Sequence, residues 1–217
     1  MIDKPIKLVG DENNPANVVV EMDGSLQWSA KGGWIEGITF RRPKILSGAS
    51  STSSMVNIVG AGKIDVIQSA FDNAGSTGNA VIVSGTGNKG NWEGVTVRNG
   101  GQTGIFVTGN VRFKMMSCSV KGSTGSAVVV SNTASIELAK CYVVNNGGFG
   151  MHVSTGCRSV IVKCHFASNV KGVLMRETNA DVSCSMNTAV VAVMPGKSIP
   201  GFKLSAPSSK GNVNAKT

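Results

Sequence analysis

Three stretches of the chain, Met115-Met116-Ser117-Cys118-Ser119-Val120, Leu138-Ala139-Lys140-Cys141-Tyr142-Val143 and Ile161-Val162-Lys163-Cys164-His165-Phe166, repeat one pattern. Each reads apolar, two variable positions, a small residue, one variable position, apolar. The small residue returns with a constant 23-residue step through Val95, Cys118, Cys141 and Cys164. Working outward, the same pattern is found at Ile35/Ile38/Phe40, Val66/Ser69/Phe71 and Trp92/Val95/Val97. There the middle position takes longer steps, from Ile38 to Ser69 and from Ser69 to Val95, so the extra residues belong to the N-terminal half.

A second apolar alternation follows each of these after a glycine-rich stretch: Leu26/Trp28, Val56/Ile58, Val81/Val83, Ile105/Val107, Val128/Val130 and Met151/Val153. Its later members keep the 23-residue step through Ile105, Val128, Met151 and Leu174. The separating segments, Asn99-Gly-Gly-Gln-Thr-Gly104, Lys121-Gly-Ser-Thr-Gly125 and Asn145-Asn-Gly-Gly-Phe-Gly150, are turn chemistry. Alternation with period two implies strands, and copies this closely spaced leave no room for helical crossovers. Two or three short strands per 23-residue coil, each coil stacked about 4.8 Å above the last, make a parallel β-solenoid, all-β, of about seven coils. Equivalent inward residues then stack as ladders, and for that reason residue types repeat column by column.

The composition agrees. Of 217 residues, 28 are glycine, 41% are hydrophobic and only 15% are charged. Tight turns and strands use that mixture better than helices do. The longest apolar runs, such as 189–194, fall far short of the roughly 20 residues of a membrane-spanning helix. Residues 1–5 lack the order of an export signal, and five cysteines without paired spacing are not a secreted disulfide framework. No Asn-x-Ser/Thr acceptor occurs. An intracellular location is therefore expected. Residues 1–194 are read as the solenoid and 195–217, rich in Ser, Lys, Gly, Pro and Asn, as a tail or linker.

The segments Ile6-Lys-Leu-Val-Gly-Asp-Glu12, Val18-Val-Val-Glu21 and Trp34-Ile-Glu-Gly-Ile-Thr-Phe-Arg-Arg42 resemble the opening coils of the right-handed parallel β-helix of the pectin-lyase-like superfamily, which includes repeats of carbohydrate-binding proteins and sugar hydrolases. Within it, the chain is most similar to non-catalytic β-helix segments of eukaryotic multidomain proteins, such as the SHC SH2-domain-binding protein and the β-helix F-box proteins. The resemblance spans residues 2–194 and implies the fold, not an activity. It also implies a further strand and a capping helix before the first coil, so the chain is expected to be a fragment whose open end coils allow self-association.

Hydrolases and lyases on this fold need clustered acids. Glu36 and Glu93 fall two coils apart, and Asp65 and Glu137 three, so a carbohydrate-active enzyme or carbohydrate binder is kept only as the alternative function. His152 and His165 each follow an inward residue and point outward, which denies either a partnership with a neighbouring cysteine. Cys118, Cys141 and Cys164 share a small inward position with Ser69 and Val95, a packing role rather than a metal site. Cys157 is expected to be exposed in a turn, and Cys184 to join the last coil. Gly85-Thr-Gly-Asn-Lys-Gly90 has dinucleotide-fingerprint spacing, but a strand follows it, not a helix, so it is a turn between coils. Trp34 and Trp92 each follow a glycine-containing turn and fit either core or a sugar-stacking face. No cofactor is implied.

Charge is the remaining signal. Residues 1–108 carry nine basic and nine acidic side chains; residues 109–217 carry twelve basic and three acidic. The net +9 therefore sits in the second half. Lys140 and Lys163 are equivalent outward positions one coil apart, with Arg112 and Lys114 in the preceding coil, and together they are expected to make a basic stripe. The functional expectation is a non-enzymatic binding or scaffold module whose lateral face takes an acidic protein segment or acidic glycan ahead of nucleic acid.

Overall fold

The computed structural model describes residues 1–43, 53–60, 62–74, 76–190 and 201–205. Each coil contributes one strand to each of three parallel sheets. Sheet I runs from Ile6–Val9 through Gly32–Glu36, Lys63–Ile67, Lys89–Glu93, Arg112–Met116, Ser135–Ala139 and Arg158–Val162 to Asp181–Ser185. Sheet II begins at Val19–Glu21 and ends with Asn187–Val190 and Phe202–Ser205. Sheet III runs from Leu26–Trp28 to Gly172–Arg176. The result is about eight turns, one more than the spacing suggested, and three strands in each full turn. Phe202–Ser205, inside the stretch expected to be a tail, pairs in parallel with Asn187–Val190; 191–200 and 206–217 lie outside the described residues.

The repeat positions are the core. Ile35, Ile38 and Phe40, and their equivalents in each coil to Ile161, Cys164 and Phe166, are all buried. Phe40 and Phe71 stack with centroids 5.5 Å apart, Phe71 meets Trp92 at 5.2 Å, and Trp92 meets Phe113 edge-on at 4.9 Å. An aromatic pair of this kind contributes about 0.5–1.5 kcal/mol beyond its burial.

Three corners turn the chain, and each has its own ladder. Between sheets I and II the turn is made by one left-handed residue per coil: Gly37, Gln68, Gly94, Ser117, Lys140, Lys163 and Met186, with φ between +43° and +66°. That conformation costs a non-glycine residue roughly 1–2 kcal/mol, and it is held because the amide still donates along the axis, Ser117 to Ala139 and Lys140 to Val162, both at 2.9 Å. The next residue turns inward, so its amide needs an acceptor from the coil above: Ser69 Oγ accepts from Ile38, Cys164 Sγ from Cys141, and Asn187 Oδ1 from Cys164. Between sheets II and III the amides of Ser123 and Asn146 donate in the same way to Asn146 and Asn169 side chains. Between sheets III and I lie Asn88, Val111, Ala134, Cys157 and Ala180, all buried. Cys157 thus corrects the expectation of an exposed turn cysteine: it occupies an inward corner column, one coil on from Ala134. The stretch 85–90 is the turn after Val81–Val83 together with the first two residues of the strand Lys89–Glu93, and Gly85, at φ +109°, packs where a Cβ would lie 2.6 Å from the Gly60 carbonyl oxygen.

Candidate binding face

At the corner between sheets I and II the left-handed residue and the strand residue two positions on both point into solvent, with the ladder residue inward between them. Lys140 and Lys163 occupy this corner in successive coils and are exposed. Their Cα atoms are one coil step apart, about 4.8 Å. Neither has an ion pair among the described residues.

Arg112 and Lys114 stand elsewhere. They are outward residues of the sheet I strand Arg112–Met116, and Arg112 is five residues before Ser117, the corner residue of its own coil. Five strand residues span roughly 16 Å. The four expected residues therefore do not share one stripe: Arg112 stands in a column on one border of sheet I, Lys140 and Lys163 in a column on the other, and Lys114 between them in the middle of its strand. Lys114 is also neutralised, its ammonium 2.9 Å from Glu137 Oε1.

The column that includes Arg112 has members the sequence reading passed over. Register places Lys63 beside Lys89, and Lys89 beside Arg112, on three successive coils. Ser135, Arg158 and Asp181 continue it. The signal was available: 63, 89 and 112 each stand at the same offset before ladder positions 69, 95 and 118. Lys63 is tied to Asp65 at 2.6 Å and Arg158 to Asp181 at 3.4 Å, leaving Lys89 and Arg112 without an ion pair among the described residues. Two shallow depressions meet at Arg112. One, of about 310 Å³, is lined by Lys63, Lys89, Asn91 and Lys114; the other, of about 520 Å³, by Asn110, Thr133, Glu137 and Arg158.

The acids of this sheet are mostly engaged. Glu36 faces Lys7 at 3.5 Å and accepts from Trp34 Nε1 at 2.8 Å, and Asp65 also accepts from the Asn91 amide. Only Glu93 among the described acids of sheet I has no ion pair. The two candidate tryptophans separate: Trp92 is core, while Trp34 is half-buried on the outer face with the Lys7 ammonium 5.3 Å from its ring centroid.

Both histidines do point outward. His152 Nε2 lies 2.8 Å from Glu177 Oε1, and Glu177 also accepts from the Thr155 amide at 3.0 Å; these bonds hold its carboxyl below the usual glutamate value. His165 Nδ1 is 2.8 Å from Thr188 Oγ1. Among the ladder thiols, Cys141 is pushed up to about 12, first by its contact with the Cys118 thiol and further by burial. Contact with Cys141, and burial, raise Cys164 in the same direction. Cys141 and Cys164 therefore stay protonated at neutral pH, as packing groups do, while the same contact with Cys141 lowers the Cys118 thiol.

With three stacked sheets and their ladders defined, comparison with known families is decisive: the model of a right-handed β-helix region matches residues 29–191. The chain belongs to the right-handed β-helix family. No curated protein and no solved structure matches it. Among the described residues of this β-helix no helix is long and apolar enough to cross a membrane.

Proposed function

We propose that this β-helix is a binding module that takes an extended acidic partner across the outer face of sheet I. The observation that carries the proposal is the pair of basic columns, with Lys89 and Arg112 bordering one side of the sheet and Lys140 and Lys163 the other, none ion-paired among the described residues. Like charges one coil apart repel modestly in water, and a polyanion lying between the columns reverses that cost. The face between is shallow, which suits an extended chain better than an enclosed small molecule. A binding role is supported over hydrolysis by the engagement of Glu36, Asp65, Glu137 and Asp181 in ion pairs, because paired-acid hydrolysis needs two carboxyls free to meet the substrate.

The test is polyanion binding at low salt, with heparin, a polyglutamate peptide and an oligonucleotide as probes. Binding is expected to weaken steeply with salt. Lys140→Glu with Lys163→Glu, or Lys89→Glu with Arg112→Glu, is expected to abolish it while thermal unfolding is retained, because all four side chains are exposed. Failure of all three probes to bind, or binding that survives both double variants, refutes the proposal.

A further inference from the structure

The two corner lysines do not stand alone. Lys140-Cys141-Tyr142 and Lys163-Cys164-His165 are the same unit, cation then ladder thiol then ring, one coil apart. Register pairs Tyr142 with His165, so the two units lie side by side on adjacent coils. Tyr142 is the only tyrosine and is 59% exposed. Its ring and that of His165 form a tilted pair, centroids 5.9 Å apart and planes at 53°. The units before and after lack the rings: Ser117-Cys118-Ser119 and Met186-Asn187-Thr188.

Each of the two rungs thus offers one ammonium and one ring on the same edge. A ligand matches rung by rung if each of its units brings one anion and one planar ring. We infer that this edge binds single-stranded nucleic acid, phosphates on Lys140 and Lys163 and bases stacked on Tyr142 and His165. The inference rests on the acidic-partner reading above and narrows it. Charge alone ranked acidic peptides and glycans first, but an acidic peptide uses the ammoniums and leaves the rings in water. The outward tryptophan, the better platform for a sugar, stands far along the rod in the second coil and is already covered by Lys7. Base stacking on aromatic side chains is tolerant of sequence, and nothing at this edge reads base edges in a fixed pattern, so no sequence preference is expected. A duplex keeps its bases stacked inside and forgoes the ring contacts.

The experiment is fluorescence anisotropy at low salt with a labelled short oligothymidylate, its abasic counterpart, a polyglutamate peptide of matching length and heparin. The oligothymidylate is expected to bind best. Tyr142→Ala with His165→Ala is expected to weaken it about tenfold or more, to the level of the abasic strand, while Tyr142→Phe keeps most of the affinity. Lys140→Gln with Lys163→Gln is expected to lower the slope of log affinity against log salt by about 1.4, two phosphates at about 0.7 each. If the abasic strand binds as tightly as the oligothymidylate, or the ring variants change nothing, the nucleic-acid inference falls. If polyglutamate or heparin binds and the oligothymidylate does not, it falls while the acidic-partner reading stands. If no polyanion binds, both fall.

Discussion

Replacing Cys141 by Asp tests the ladder that holds the coils together. Cys141 is 1% exposed, between Cys118 and Cys164 in the same column, with its Sγ 3.4 Å from the Ala139 carbonyl and 3.6 Å from that of Met115. An aspartate there loses its hydration, faces two carbonyl oxygens that cannot donate to it, has only the Cys118 amide to accept from, and meets no cation among its described ladder neighbours. Leaving a buried charge without a partner costs about 3–5 kcal/mol, which in a domain of this size lowers the melting temperature by on the order of 10 °C. Burial also raises the aspartate pKa in the folded state. The penalty is therefore full above that raised value, shrinks as pH falls toward the unfolded value of about 3.9, and vanishes below it. Cys141→Val and Cys141→Ser are the controls. Valine at 95 and serine at 69 already occupy the column, so each is expected to cost only about 1–2 kcal/mol. Urea unfolding followed by circular dichroism between pH 4 and pH 8 measures all three. An aspartate variant as stable as the parent at pH 7, or one whose deficit is independent of pH, refutes the inward assignment of the column.

Trp92→Ala is expected to cost about 3–5 kcal/mol, because it opens a cavity between Phe71 and Phe113; Trp34→Ala, on the outer face, is expected to cost under about 1 kcal/mol, and equal losses in urea unfolding would refute the core and outer-face assignments. In alkali the raised Cys141 thiol gives a signed effect: the folded state keeps its proton between the ordinary value of 9.0 and about 12 while the unfolded chain has lost it. The Cys141 contribution is complete below pH 9 and is lost as pH rises toward 12, opposed in part by Cys118, which the same contact lowers, so the fall in stability above pH 9 should be smaller in Cys141→Val. Glu177 behaves oppositely, its lowered carboxyl stabilising above about pH 4.5 and losing that contribution as pH falls through the folded value, so Glu177→Gln should be less sensitive to acid in a pH series of thermal melts. With a thiol reagent on the native protein, Cys184 is expected to react first, since Cys118, Cys141, Cys157 and Cys164 are buried; rapid labelling of Cys157 would place it back at the surface.

The core was legible because a ladder is a local pattern repeated. Ile35, Val66, Trp92, Met115, Leu138 and Ile161 are neighbours in space only through stacking, yet each shows its direction through alternation within its own strand. Asn187 escaped notice as the next ladder member, although it continues the column one coil after Cys164, because a polar residue there resembles a surface position until its amide group is seen bonded to Cys164 and Ile161. Cys157 was misplaced for a related reason: a residue after Thr155 and Gly156 looks like an exposed turn, whereas its corner folds the side chain inward.

The candidate face was only half legible. The sequence by itself determined that Lys140 and Lys163 share a column, since a constant 23-residue step and an identical flanking pattern leave one alignment of the two coils. It also determined the strand class and the inward ladders, because burial on a stacked coil selects the same residue type at the same offset. Only the tertiary structure decided which charges remain unspent. Lys114 meets Glu137, and Lys63 and Lys89 join Arg112, across contacts between neighbouring coils. An ion pair depends on the distance between side-chain ends, and the rod folds distant residues to within one coil step while a strand carries near ones apart. Arg112 and Ser117 are close in the chain and on opposite borders of a sheet; Tyr142 and His165 are a full coil apart and in ring contact.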